Sequence, residues 1–261
     1  MSDALLTVRD DAILHLRLNR PQIHNAFDDA LIQELTHALQ AAGSDPSVRV
    51  VVLEAEGHSF SAGADLNWMR SLIGATEAQN IEDANKLATL MRTLNNLPKP
   101  TIAKVQGPAF GGGVGLIACC DIAIGASSAL FSLSESRLGL LPAVISPYVI
   151  EAIGARQARR YFATAERFGA DKARDMGLLH DVVAAEELDA TVNALIQTLL
   201  SVGPVASGAA KQLIRDVTHL NDDVLVDQHT SRCIAALRVS PEGQEGLSSF
   251  LEKRKPFWVQ H

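Results

Sequence analysis

Two short glycine-containing turns and one glutamate are the parts of this 261-residue chain whose types and spacing suggest chemistry. The first turn holds Gly111 to Gly113, between a β-branched run ending at Val105 and an apolar run of small residues from Leu116 to Cys120. Glycines let a ligand approach the main chain closely, and amides that open a helix favour an anion or a developing oxyanion. A glycine triplet alone is equally typical of a tight turn with close helix packing.

A second turn of the same character follows another predicted strand. Residues 57–66 read Gly-His-Ser-Phe-Ser-Ala-Gly-Ala-Asp-Leu, directly after the β-branched run 48–53. Each of the two strand-to-turn-to-helix junctions can offer a free amide, and two converging amides make an oxyanion hole. The pair of turns therefore predicts a site that stabilises negative charge on a carbonyl oxygen.

Glu135 is the candidate acid or base. It lies among serines and leucines after a short predicted strand, close to the proline-containing apolar run 141–147. Surroundings of low polarity would raise its pKa, which suits proton transfer near neutral pH. Spacing alone favours the alternative interpretation, an ordinary surface glutamate paired with Arg137.

The two turns together resemble the paired signature of the crotonase superfamily, the enoyl-CoA hydratases and isomerases. Residues 60–66 read Phe-Ser-Ala-Gly-Ala-Asp-Leu and residues 107–113 read Gly-Pro-Ala-Phe-Gly-Gly-Gly. The resemblance extends from Leu-Asn-Arg-Pro at 18–21 to Glu-Lys-Arg-Lys at 252–255, nearly the whole chain. It implies that the amides of Ala64 and Gly112 bind a thioester carbonyl, and that Glu135, four residues after Phe131 in a Phe-x-x-x-Glu pattern, transfers the proton.

The resemblance also assigns the substrate-binding residues and the cofactor requirement. The adenine and pantetheine of coenzyme A are expected along the backbone from Ala62 to Asn67, and the basic closing segment is expected to help hold the phosphates. The predicted binding residues are Ala62, Asp65, Leu66, Asn67 and Lys253. A solvated terminus is the alternative for Lys253. No metal and no redox cofactor is expected, since coenzyme A is part of the substrate.

Position 115 departs from the two-carboxylate hydratases of the family. Their second glutamate lies two residues after the glycine triplet, where this chain has Gly115. Hydratase remains the first prediction, because segments 65–69, 111–124 and 141–150 resemble bacterial methylglutaconyl-CoA and carboxygeranoyl-CoA hydratases. A single-glutamate isomerase and a catalytically silent CoA-binding protein are the alternatives. The water could be positioned by a backbone carbonyl, by a hydroxyl such as that of Ser136, or by a carboxylate on the substrate. Gly115→Glu is expected to raise crotonyl-CoA hydration if the side chain fits.

The elements that must position these residues alternate between strand and helix, which predicts an α/β class. Strands are predicted at 5–9, 12–18, 48–53, 100–105, 121–125, 129–132 and 182–183, and helices at 28–42, 81–97, 171–176, 186–200, 205–216, 222–236 and 243–253, with another beginning at 155. Asn25 is the predicted cap of the first helix, and residues 66–80 are expected to form an irregular, mobile cover.

The resemblance refines the class to a crotonase-like spiral of strand-strand-helix repeats over residues 1–202. The predominantly helical segment 203–261 is then a trimerisation module, which predicts a homotrimer or a dimer of trimers. Apolar positions such as Val224, Leu225, Ile234 and Leu237 on these helices are expected to be covered by that assembly.

Composition excludes several other classes. A net charge of −7 offers no basic surface for nucleic acid, and no apolar run approaches the ~20 residues of a membrane helix. Three cysteines and eight scattered histidines form no disulfide framework and no metal-ligand spacing. No Gly-x-Ser-x-Gly nucleophile motif occurs. With no secretion signal at the start, the expected location is the cytoplasm.

Overall fold

Nine strands form two sheets in a computed structural model that describes residues 3–259. The strands are β1 (Leu5–Asp10), β2 (Ile13–Leu18), β3 (Val50–Ala55), β4 (Thr101–Val105), β5 (Ala109–Phe110), β6 (Ile122–Ala126), β7 (Leu130–Ser132), β8 (Phe168–Gly169) and β9 (Asp181–Val183). The large sheet has the order β1-β2-β3-β4-β6-β9 and is parallel except for the β1–β2 hairpin, and the small sheet has the order β5-β7-β8.

Ten α-helices surround these sheets within the same residues. They are α1 (Asp29–Ser44), α2 (Leu66–Ser71), α3 (Glu77–Asn95), α4 (Gly112–Cys119), α5 (Ser146–Thr164), α6 (Ala170–Met176), α7 (Leu188–Ser201), α8 (Pro204–His219), α9 (Asp223–Val239) and α10 (Pro241–Leu251). No single described helix is long and apolar enough to cross a membrane; α7 and α8 reach the required length only as a pair, and they meet at 101°.

The order of elements confirms the predicted spiral of strand-strand-helix repeats. Each repeat contributes one strand to the large sheet, then a strand or a single bridge residue beside the small sheet, then a helix. Strand β2 leads to Phe27 and α1, β3 to Ser61 and Ala64 and then α2, β4 to β5 and α4, and β6 to β7 and α5. Isolated parallel bridges pair Phe27 with Ala64 and Ser61 with Ala109, so the second members of successive repeats lie side by side.

The core lies on both faces of the large sheet. The larger cluster joins one face to α1, α3, α4 and α5, and a smaller cluster joins the other face to α7 through Leu188, Val192 and Ile196. Helices α8 and α9 contain no buried residue. An ion pair and two hydrogen bonds connect the C-terminal segment to the core. Lys211 pairs with Asp121 at 2.9 Å, and the Arg49 guanidinium donates to the Val202 and Trp258 carbonyls. The division at residue 202 stays a prediction.

Two local expectations are wrong. Asn25 does not cap α1, because Asp28 occupies the cap and accepts a hydrogen bond from the Leu31 amide at 3.0 Å. The segment 66–80 is not irregular throughout, since it contains α2 and the first turn of α3. Helix α3 begins at Glu77 because Thr76 and Gln79 form a reciprocal capping box. Most other element ends differ by one to three residues from the predicted ones. Helix α5 begins at Ser146, nine residues before the predicted start at 155, although non-helical backbone angles at Gly154 divide it there.

Candidate active site

The two predicted amides and the glutamate follow neighbouring strands at one edge of the small sheet. Ala64 follows the Ser61 bridge, Gly112 follows β5, and Glu135 follows β7, in three successive repeats. These strands are parallel, so their carboxyl ends meet. A β-carbon placed on Gly111 would lie 3.0 Å from Glu135 Oε1, and one placed on Gly63 would lie 3.5 Å from the Gly112 nitrogen. The structure therefore brings Ala64, Gly112 and Glu135 together.

The amide of Ala64 is left free by the bonds of its neighbours. Phe27 donates its N–H to the Gly63 carbonyl at 2.8 Å and accepts from the Asp65 N–H at 3.0 Å. Successive residues of an extended chain direct their amides to opposite sides, so the Ala64 N–H points away from Phe27. It finds no acceptor among residues 3–259.

The amide of Gly112 is free because it opens a helix. Gly112 is the first residue of α4, where an N–H has no intrahelical acceptor, and it donates to no other backbone carbonyl in the described chain. The preceding turn is set by Gly111, whose φ of 50° and ψ of −121° suit only glycine, and whose N–H donates to the Ser132 carbonyl at 2.9 Å. Two amides without a backbone acceptor in the described chain thus lie on adjacent turns, and an oxyanion hole requires a pair of such donors.

Glu135 has the environment of a proton-transfer group. It lies in a short 3-10 turn, Ser134–Leu138, and its Oε2 is buried with no hydrogen-bond partner in the part of the chain described. Burial raises the pKa of this carboxyl and outweighs a hydrogen bond from its own backbone amide. Arg137 makes no ion pair with Glu135 in residues 3–259. The alternative of a paired surface glutamate is wrong.

Gly115 explains the missing second carboxylate. This residue is buried on α4, where an added β-carbon would lie 2.2 Å from Ile145 Cγ2 and 3.3 Å from Met91 Cε. Real β-carbons do not approach other atoms at 2.2 Å, so the site has no room for a side chain unless Ile145 moves. The condition attached to Gly115→Glu, that the new side chain fits, is therefore not met.

The predicted binding segment 62–67 has mixed properties. The Asp65 side chain stabilises the local structure. Its carboxylate caps α2 by accepting hydrogen bonds from the Asn67 and Trp68 amides, and it pairs with Arg20 at 3.2 Å. Leu66 and Asn67 are exposed at the edge of the site, and the Ala62 N–H is used by the His24 carbonyl at 2.8 Å. The backbone of Asp65 is also bonded, since its N–H donates to the Phe27 carbonyl and its carbonyl accepts from the Met69 N–H. Substrate binding by residues of this segment stays a prediction.

Lys253 is not brought to this cluster by any described contact. It lies just beyond α10, is exposed, and has a left-handed φ of 55°. Its neighbour Arg254 is held by Glu245 and Glu252, at 2.6 Å and 2.7 Å. Phosphate binding by Lys253 stays a prediction.

Sequence reasoning missed the residues that hold the first turn in place. Asn25 is fully buried with a φ of 53°, and its side-chain amide donates to the carbonyls of Glu56 and Ser59, both at 2.7 Å. Ser61 Oγ donates to the Asn25 carbonyl at 2.9 Å and accepts from the Gly63 amide. Asparagine tolerates a left-handed conformation, and that is the sequence signal that could have indicated a turn here instead of a cap.

Comparisons with known proteins show the family. The family model for enoyl-CoA hydratase/isomerase matches residues 9–261. The chain belongs to the enoyl-CoA hydratase/isomerase family. A solved enoyl-CoA hydratase from Shewanella pealeana is 46% identical with a TM-score of 0.94, covering 98% of this chain and 96% of that one.

Two curated relatives of this family member are also similar over nearly their full lengths. The 2,3-dehydroadipyl-CoA hydratase of Escherichia coli is 32% identical, covering 97% of each chain. The crotonyl-CoA hydratase of Syntrophomonas wolfei is 31% identical, covering 98% of this chain and 97% of the relative. The chain is thus an enzyme of the enoyl-CoA hydratase type, acting on acyl-CoA thioesters.

Proposed function

We propose that this enzyme adds water to an enoyl-CoA whose acyl chain is branched or carries a free carboxylate, and that Glu135 is the acid–base group. The observation that carries the proposal is the buried Glu135 Oε2, which has no hydrogen-bond partner among residues 3–259, combined with the lack of space for a side chain at Gly115. One ionisable group therefore serves both proton-transfer steps.

The free amides of Ala64 and Gly112 hold the thioester oxygen in this mechanism. Charge builds on that oxygen as the enolate forms, so donors fixed in advance stabilise the transition state more than the bound substrate. Removing one such donor typically costs ~3 kcal/mol of barrier lowering. Coenzyme A would then extend along segment 62–67, beside the exposed Leu66.

Glu135 moves the proton. Water bonds through its oxygen to the β-carbon, Glu135 takes the proton that this water loses, and Glu135 then returns a proton to the α-carbon of the enolate. The raised pKa of Glu135 favours both directions of transfer near neutral pH. Since no second carboxylate fits at Gly115, we assign the orientation of the water to a carboxylate of the substrate itself. The relative that is a 2,3-dehydroadipyl-CoA hydratase, named for a dicarboxylic acyl group, supports this choice.

Isomerisation is the second candidate, and the packing of Gly115 against Ile145 favours it. A single carboxylate can take a proton from one carbon of a 3-enoyl-CoA and return it two carbons away, without any water. The same two amides would stabilise the dienolate oxygen. The two candidates differ in the substrate, a 2-enoyl-CoA for hydration and a 3-enoyl-CoA for isomerisation, and in whether water is taken up.

A substrate panel tests the proposal. The enzyme is incubated with crotonyl-CoA, a carboxylated 2-enoyl-CoA such as 3-methylglutaconyl-CoA, and a 3-enoyl-CoA, while enoyl-thioester absorbance and product mass are recorded. We expect a gain of one water and a kcat/KM at least ~10-fold higher for the carboxylated substrate, since polar recognition of this kind discriminates strongly. Equal efficiency on the first two substrates would refute substrate-assisted hydration. Conversion of the 3-enoyl-CoA without water uptake would establish the isomerase.

We also propose that the helical module 203–261 assembles the chain into a trimer or a dimer of trimers. Val224 and Leu225 are 63% and 51% exposed on α9, and Ile234 is 48% exposed. Helices that bury none of their own residues leave such apolar side chains for a partner to cover. Light scattering that reports a monomer at micromolar concentration would refute the assembly.

A further inference from the structure

Phe27 contacts both halves of the oxyanion hole, one through its backbone and the other through its ring. Its N–H and carbonyl hold Gly63 and Asp65, the residues on either side of Ala64. Its ring tip lies against Gly112, where an added β-carbon would be 2.3 Å from Cζ. A single residue therefore spans the distance between the two turns that carry the free amides.

The surroundings of Phe27 make this span rigid. The residue is only 3% exposed, and its ring packs at a tilt of 51° against the Trp68 ring, with centroids 6.5 Å apart. Two residues earlier, Asn25 bonds to the carbonyls that open the first turn. Buried rings in close-packed surroundings do not shift without displacing their neighbours.

We infer that Phe27 is a positioning residue that sets the separation of the Ala64 and Gly112 amides, an inference that rests on the proposed use of those amides as an oxyanion hole. The backbone of Phe27 fixes one donor, and the length of its ring fixes how closely the other can approach. A shorter side chain removes the contact with Gly112 while leaving both backbone bonds in place. The Gly112 amide can then drift from the thioester oxygen.

Catalysis should respond to Phe27 more than binding does. Misplacing a donor that acts mainly in the transition state lowers kcat and leaves KM nearly unchanged. We expect kcat to fall ~10-fold in Phe27→Leu, and in Phe27→Ala to approach the ~10²–10³-fold loss typical of deleting one oxyanion donor.

Phe168→Leu is the matched control. Phe168 is 5% exposed and packs on Phe131 and Tyr161, so its truncation also opens space in the core. It makes no described contact with Gly112 or with the turn around Ala64. A purely structural role for Phe27 predicts the same outcome for both variants.

The readout is the infrared stretch of a carbon-13-labelled thioester carbonyl in a saturated, unreactive acyl-CoA. Wild-type protein and Phe168→Leu should lower its frequency equally relative to free ligand, whereas Phe27→Leu should recover only a minor part of that shift at saturating ligand. Thermal melts of the three proteins establish that each is folded, and the conservative Phe27→Leu keeps the test available should Phe27→Ala not fold.

Two results would overturn the inference. An equal carbonyl shift and an equal kcat in Phe27→Leu and Phe168→Leu would remove the positioning role while leaving the oxyanion hole intact. Absence of any shift in wild-type protein would remove the oxyanion hole itself, and the positioning role with it.

Discussion

Gly115→Ala is expected to destabilise the protein, although alanine is the better helix former. Replacing glycine in a helix interior gains ~1 kcal/mol from propensity. Against this, the new β-carbon would lie 2.2 Å from Ile145 Cγ2 and 2.8 Å from Ile145 Cβ. Overpacking of this kind costs ~1–3 kcal/mol. The net expected loss in the free energy of unfolding is therefore about 1 kcal/mol.

A double-mutant cycle with Ile145→Ala isolates the clash. Ile145 is 2% exposed, so Ile145→Ala alone should cost ~2–5 kcal/mol through the cavity that it opens. In the double variant the methyl of the new alanine enters that cavity, and we expect the two changes to be non-additive by ~1–2 kcal/mol. Urea denaturation followed by circular dichroism gives each of these free energies.

Gly246→Ala on α10 is the matched control, since the nearest atom to an added β-carbon there is the far end of the Trp258 indole, at 3.3 Å. It should be neutral or stabilising. An additive cycle, or a Gly115→Ala protein as stable as the Gly246→Ala protein, would refute the packing explanation for the missing carboxylate. Gly115→Glu should correspondingly fail to raise crotonyl-CoA hydration.

Three further perturbations test the site and the sheet beneath it. Ala64→Pro deletes the backbone N–H donor at position 64 and should lower kcat ~10²–10³-fold. If the variant is folded by circular dichroism and keeps the full rate, the Ala64 amide is not an oxyanion donor. Glu135→Gln should raise the melting temperature at pH 8 but not at pH 4. Folding raises the pKa of the Glu135 carboxyl above 4.5, so the folded protein becomes less stable as this carboxyl ionises with rising pH. Equal gains at both pH values would count against burial as the cause. Burial opposes ionisation of Glu54, yet contacts with His15, Lys104 and Arg17 lower its pKa from 4.5 to about 2. Its stabilisation is therefore present above pH ~4.5 and lost as the pH falls toward 2, and Glu54→Gln should cost up to about 3 kcal/mol at pH 7, as urea titrations across pH would measure.

The sequence was most informative where chemistry depends on the backbone. Glycine turns after β-branched runs indicate that free amides lie at these two junctions, and the family resemblance assigns them to Ala64 and Gly112. Only Gly112 opens a helix, where the first amides are unpaired. The alternation of elements indicated the α/β class, and the spiral required the family resemblance, since short strands such as β5 and β7 carry little periodicity of their own.

Tertiary contacts were the part that local sequence could not supply. Phe27 looks like any apolar residue before a helix, and only the bridge to Ala64 and the ring against Gly112 reveal its position. The obstruction at Gly115 depends on Ile145, thirty residues further along the chain. Asn25 resembles a helix cap until the Asp28 side chain is seen to occupy that place.

Turnover by Glu135→Gln tests most directly whether one carboxylate carries the reaction. The variant and the wild-type enzyme are compared on the best substrate of the panel, with the dissociation constant of the product CoA ester measured by calorimetry. We expect kcat to fall ~10²–10⁴-fold, as is typical of a positioned acid–base group, with binding nearly unchanged. A variant that keeps more than about a tenth of the wild-type rate would contradict the role of Glu135.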